Sequence, residues 1–274
     1  MSSFVYIITE GVLDVVFISQ VLCCGFGGEI IQRKNRLPER ARQWLNQFRW
    51  PVGDDIARRA VPAPSFIQFE NGLAAVRNAQ GLANIRKTLT ADQEAFLRLR
   101  WQPTSMGIVL DADVEKPAVR FGDFAALLHD NGYPKPVHLD CIEALNDRRA
   151  GVFAFPGQGR SGTLEDVLMS VAACRFPTLS SRANKYIQDF FDSSAEIEDN
   201  DLVELKRPSG PKKAKLSALA AVLKPGKPLS ASIEDQHWLP AGLDAFEPTK
   251  PLMNFLVDLM AFETTPTSRR KENE

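Results

Sequence analysis

The sequence predicts an α/β fold with a mainly parallel sheet flanked by helices, and three observations lead there. Phe4–Ile8, Met106–Leu110 and Val152–Phe155 are nearly continuous apolar runs, as expected of strands buried on both faces. A helical pattern follows each run, so strands and helices alternate along the chain. Nothing in the 274 residues approaches the ~20 consecutive apolar residues of a membrane span.

The first run ends in Thr9-Glu10-Gly11, where Gly11 is expected to permit a tight turn. A helix with Val12, Val15, Val16, Ile18, Ser19 and Leu22 on its apolar face then continues until Gly25, Gly27 and Gly28. Residues 33–100 read as a helical insertion. A helix is expected from about Pro38 to Phe48, a short strand at Ser65–Phe69, and helix through most of 71–100. The second apolar run ends in Asp111-Ala112-Asp113, followed by a helix from about Val119 to His129 that Asn131-Gly132 closes. The third ends in Pro156-Gly157, and a helix opens at Thr163. Residues 180–262 read as helices joined by Pro-rich turns, with 236–263 as a helical C-terminal extension. The tail 264–274 is expected to be disordered.

Composition narrows the class of function. Lys and Arg number 33 against 34 Asp and Glu, so net charge neither requires nor excludes a nucleic-acid partner. The four cysteines form no C-x-x-C pair and the three histidines are scattered, which argues against a zinc site. Thiols in no disulfide pattern, and an N-terminus without a basic region before its apolar run, point to the cytoplasm.

The chemistry is carried by acids at the strand ends. Glu10 and Asp14 follow the first run, Asp111 and Asp113 the second, and Glu165 and Asp166 the third after a short loop. In open α/β sheets ligands bind beyond the carboxyl ends of the strands, so these acids are expected on one rim. Two carboxylates 4 Å apart repel by about 4 kcal/mol at an effective dielectric near 20, so such a cluster needs protons or a cation. All-oxygen donors select Mg²⁺ or Mn²⁺, and a pair of such ions suits phosphoryl transfer. The alternative is that Asp14, Glu165 and Asp166 merely cap helices.

Thr-Glu-Gly-Val-Leu-Asp at 9–14 and Asp-Ala-Asp at 111–113 resemble the two hallmark motifs of the Toprim domain. Gly-Thr-Leu-Glu-Asp at 162–166 resembles the OLD-nuclease branch and its small stand-alone relatives. So do Arg120–Leu128, Asn131–Pro134, and a lysine-bearing helix followed by Pro225-Gly226-Lys227-Pro228-Leu229. The resemblance spans about Phe4 to Ile233. It implies a Rossmann-like Toprim sheet and a nuclease dependent on Mg²⁺ or Mn²⁺. Glu10, Asp111 and Asp113 would hold one ion. Asp14 and Glu165, with Asp166, would help hold a second. Glu10 would double as acid–base, and Lys213 or Lys215 would stabilise the reacting phosphate.

A P-loop of the form G-x-x-x-x-G-K-[ST] is missing from the sequence, so any ATPase of the SMC or ABC kind would be a separately encoded partner, as in two-gene phage-defence systems. The implied substrate is nucleic acid, DNA ahead of RNA, and a homo-oligomer is left open. The basic stretch Arg33–Arg49, with Trp44, Phe48 and Trp50, offers either base stacking or a charged helix whose aromatics face the core. The run Lys206–Lys215 offers a substrate clamp or a solvated linker. A non-catalytic scaffold that binds nucleic acid or an ATPase is the alternative reading. A topoisomerase is disfavoured because the chain is too short for a gate domain, and a primase because there is no zinc module.

Overall fold

The computed structural model describes residues 3–48, 63–112, 117–193, 202–235, 238–240, 243 and 246–261. Strand β1 (Ser3–Thr9) lies between β4 (Gly72–Asn78) and β5 (Ser105–Asp111), parallel to both, and β5 pairs in parallel with β7 (Arg148–Phe155). Three antiparallel ladders widen this centre: β2 (Glu29–Ile30) on β3 (Ser65–Phe69), β3 on β4, and β6 (Ile142–Leu145) on β7. The result is a mixed, centrally parallel seven-stranded sheet of order β2-β3-β4-β1-β5-β7-β6. The carboxyl ends of β4, β1, β5 and β7 therefore open on one rim.

Helices cover both faces. Val5, Ile7, Val76, Val109 and Phe153 point into one core. That core is shared with α1 (Val12–Phe26), α5 (Leu164–Arg175), α6 (Pro177–Ser193), α8 (Gly210–Leu223), α9 (Leu229–Asp235) and α10 (Lys250–Met260). A four-residue turn of helix, α7 (Val203–Lys206), precedes α8. Phe4, Tyr6, Ile8, Met106 and Ile108 point the other way. They meet α2 (Glu39–Leu45), α3 (Ile85–Arg98) and α4 (Pro117–Asp130). Burial on both faces explains why the strands read as unbroken apolar runs.

The insertion departs from expectation. Residues 72–78, expected as helix, are the central strand β4, and the helix starts only at Ile85. Leu73 and Val76 fit helical spacing, yet Leu73 and Ala75 face one core while Ala74 and Val76 face the other. Trp44 and Phe48 do not stack on bases. Trp44 is buried against Tyr6, Phe66 and Phe96, and Phe48 against Trp44 and under the Arg77 guanidinium, so the core-facing alternative holds; Trp50 lies outside the described residues. The expected C-terminal helix is α10, laid on β5 and β7. Positions 264–274 lie outside the described residues.

Gly107 and Gly151 are register partners on β5 and β7 and make the seat for α10. A Cβ on Gly107 would stand 2.8 Å from Leu259 Cδ2, and one on Gly151 2.8 Å from both Phe255 Cε2 and the Cys141 carbonyl oxygen.

Candidate active site

Glu10, the residue just past β1, and Asp14, in the first turn of α1, reach the rim beside Asp111, the last residue of β5. With Glu165 from the first turn of α5 they line a cleft of about 470 Å³. Gly11, Val12, Leu13, Leu164, Lys213, Ser217 and residues 228–230 complete its lining.

Helix starts fix these side chains. Asp14 Oδ2 accepts the Gly11 N–H at 2.6 Å, which caps α1. Gly11 is extended (φ −131°), so its backbone needs no glycine. A Cβ there would crowd Asp14 Oδ2 at 3.1 Å, which is where the absence of a side chain matters. Asp111 Oδ1 accepts the Leu164 N–H at 2.7 Å, tying the end of β5 to the first turn of α5. Asp166 repeats the α1 device: its Oδ2 accepts the Thr163 N–H at 2.9 Å. Gly162, at φ 144°, supplies the left-handed approach that a side chain would resist, with a Cβ only 2.9 Å from Asp166 Oδ2.

Burial and mutual repulsion dominate the electrostatics. Asp111 is pushed up to about 8, first by desolvation, then by the charges of Asp14, Glu165 and Glu10, against the Leu164 N–H. Asp14 is pushed up to about 7, first by desolvation and then, against the Gly11 N–H, by Glu10 and Glu165. Lys213 Nζ stands 3.7 Å from Glu165 Oε1. Lys212 Nζ pairs with Asp166 at 2.6 Å from Oδ1 and 2.8 Å from Oδ2.

Four expected acids, Glu10, Asp14, Asp111 and Glu165, thus meet in one cleft, and of the two candidate lysines Lys213 lines it. Asp166 instead caps α5 and pairs with Lys212, while Lys215 is half-buried on α8 outside the cleft lining. Asp113 lies outside the described residues. Among the described residues no three His, Cys, Asp or Glu side chains are gathered in ligand geometry for a metal ion.

Sequence reading missed the β4 end of the rim. A hollow of about 510 Å³ opens beside Glu10, Gly11 and Val12 and is lined by Asn78, Gln80 and Gly81. A second hollow, of about 250 Å³, lies between Gln80, Arg77, Asn84 and Lys87. Below it, Asp92 accepts from Tyr6 Oη (2.6 Å) and Trp44 Nε1 (3.3 Å) and pairs with Arg77 Nε (3.4 Å). Only recognition of 72–78 as a strand would have brought these residues to the rim.

The family described as "Protein of unknown function (DUF3226)" matches residues 5–261. A solved structure titled "Crystal structure of hypothetical protein PH0156 from Pyrococcus horikoshii OT3" is similar in fold, with a TM-score of 0.50 at 15% identity. The similarity covers 94% of this chain and 95% of that one. No curated protein matches.

Proposed function

The chain belongs to the DUF3226 family of proteins of unknown function, and we propose that it is a divalent-metal-dependent nuclease acting on DNA, with RNA as the second substrate. One observation carries this reading: carboxylates from separate strand ends converge with Lys213 on a single cleft. The reading agrees with the resemblance of residues 9–14, 111–113 and 162–166 to Toprim motifs of the OLD-nuclease kind.

The donor set suits Mg²⁺ or Mn²⁺. It is all carboxylate, and burial with mutual repulsion holds Asp14 and Asp111 up near 7 and 8, the behaviour of a group short of positive charge. One oxygen of each is committed to a backbone N–H, which leaves the second for an ion. Glu10, Asp14, Asp111 and Glu165 would hold the ions, with Asp113 as a further ligand on the motif alone. Bound there, one or two ions would activate water and stabilise the leaving oxygen. Lys213 sits where it can face a phosphate oxygen and neutralise charge that builds in the transition state. Glu10 shuttles the proton at the reacting oxygen.

The test uses Asp111→Asn, which retains the acceptor for the Leu164 N–H while removing the charge. Purified protein incubated with circular and linear DNA and with RNA should cut in Mn²⁺ or Mg²⁺ and not in EDTA. Asp111→Asn should lose about 10³-fold or more of the rate, as removal of a main catalytic group does. Equal residual cutting by the variant would assign the activity to a contaminant.

The lack of a ready ligand triad among the described residues favours a second reading, a scaffold that binds nucleic acid or an ATPase without cleaving. Binding indifferent both to EDTA and to Asp111→Asn, with no cutting, would select it. An SMC- or ABC-like ATPase is the partner proposed for this chain, since residues 1–274 carry no P-loop of their own. Among the described residues no helix is long and apolar enough to cross a membrane. The four free thiols fit work in a reducing cytoplasm.

A further inference from the structure

We infer that the end of β4 is the seat of the substrate strand: Asn78 and Lys87 hold the phosphodiester backbone in hollows beside Glu10 that Lys213 does not line. The inference rests on the nuclease reading for the identity of the ligand, and on separate residues for the site. Asn78 is 6% exposed and lines the hollow beside Glu10. Its Oδ1 accepts the Gln80 N–H at 2.7 Å, so the remaining end of the amide is the NH₂ donor. No described residue accepts from that donor, and it is not shut away from solvent, so it is open to the hollow. An amide held this firmly in the rim, with its N–H groups open to the hollow beside Glu10, can exchange water for a phosphate oxygen.

The surrounding loop is built to hold this position. The Ala79 N–H donates to the Thr9 carbonyl at 2.9 Å and the Gly81 N–H to the Glu10 carbonyl at 2.8 Å, so 79–81 is fastened to the end of β1. Asn84 Nδ2 donates back to the Gln80 carbonyl at 2.8 Å. Gln80 lines both hollows, so it stands between the one beside Glu10 and the one lined by Lys87. The far hollow contains one acid, Asp92, whose oxygens are occupied by Tyr6, Trp44 and Arg77. The first turn of α3 carries Arg86 and Lys87 and no acid, the charge pattern that attracts an anion. This stretch of the rim thus runs from the acid Glu10 to donors at Asn78 and Lys87, where the strand would be held.

The test is fluorescence anisotropy with a fluorescein-labelled 20-mer, single-stranded and duplex, in EDTA so that no metal-dependent step intervenes. Asn78→Asp keeps the shape and the acceptor for Gln80 while exchanging the donor for a charge. Lys87→Glu alters an exposed side chain. Asn78→Asp should raise Kd about tenfold, and Lys87→Glu should also lower the salt slope of binding by roughly one or more. In cleavage assays Lys87→Glu should raise KM far more than it lowers kcat. Kd unchanged in both variants, each with the wild-type circular dichroism spectrum and Tm, would overturn the inference and leave the carboxylate reading standing. A wild-type protein that binds neither oligonucleotide would also overturn it. Weakened binding by both variants in a protein that never cuts would uphold the seat and end the nuclease reading.

Discussion

Asp14 and Asp111 bind protons more tightly in the folded protein than in an unfolded chain, where each has its ordinary value near 3.8. The stabilisation from these protons is complete below about 4 and is lost as pH rises through about 7 and 8. In EDTA, Tm measured by scanning fluorimetry should therefore fall by at least about 5 °C between pH 5 and pH 8.5. On the proposed metal reading Mn²⁺ would bind the ionised carboxylates, and adding it should shrink or reverse that fall. Asp111→Asn should melt above wild type at pH 8 in EDTA, because it removes a buried charge and retains the hydrogen bond to Leu164. Asp92 behaves differently. Burial raises its pKa, yet Arg77, Tyr6 and Trp44 all favour its charged form. Asp92→Ala would orphan Tyr6 Oη and remove the carboxylate that Arg77 Nε faces at 3.4 Å in a largely buried place. Urea denaturation should register a loss of about 3–5 kcal/mol, as for removal of one partner from a buried pair.

The helix α10 touches the sheet through Phe255 and Leu259 over the paired glycines 107 and 151. Ala at 151 would meet backbone, the Cys141 carbonyl, as well as side chains, whereas Ala at 107 meets the movable tip of Leu259. Chemical denaturation should give Gly151→Ala a loss of about 2–3 kcal/mol and Gly107→Ala less. Elements were legible in the sequence where a single signal dominated. The β1, β5 and β7 runs are rich in Val, Ile and Phe and end in clear turn or acidic residues, so both the strands and the acids after them could be read. The β4 segment, Gly-Leu-Ala-Ala-Val-Arg-Asn, mixes Ala with two larger apolar residues at helical spacing, and its pairing with β1 is a long-range fact no local pattern contains. Its misreading concealed half of the rim, Asn78 included. The choice between Lys213 and Lys215 was closed to sequence for a similar reason, since it depends on how α8 rolls against α5.

At the scale of the molecule, α10 is not an appendage. Leu252, Phe255, Leu256 and Leu259 lie in the same core as Ile7 of the central strand and Leu168 of α5. A chain shortened to end at residue 246 should lose cooperative unfolding in calorimetry instead of leaving a stable remainder, because that face of the sheet would be stripped of its cover. The carboxylate rim needs the whole sheet as well, since its members come from residues 10 to 165 and meet only when β1, β5 and β7 stand side by side. On α8, Lys212 latches onto Asp166 while its neighbour Lys213 reaches the cleft. Consecutive residues on a helix diverge by ~100°, so one lysine can serve as anchor while the other serves as arm. The latch is a partly exposed ion pair, which electrolyte weakens. On the proposed function, ionic strength would act twice: it would loosen the grip on a polyanion and weaken the pair that steadies the neighbouring arm.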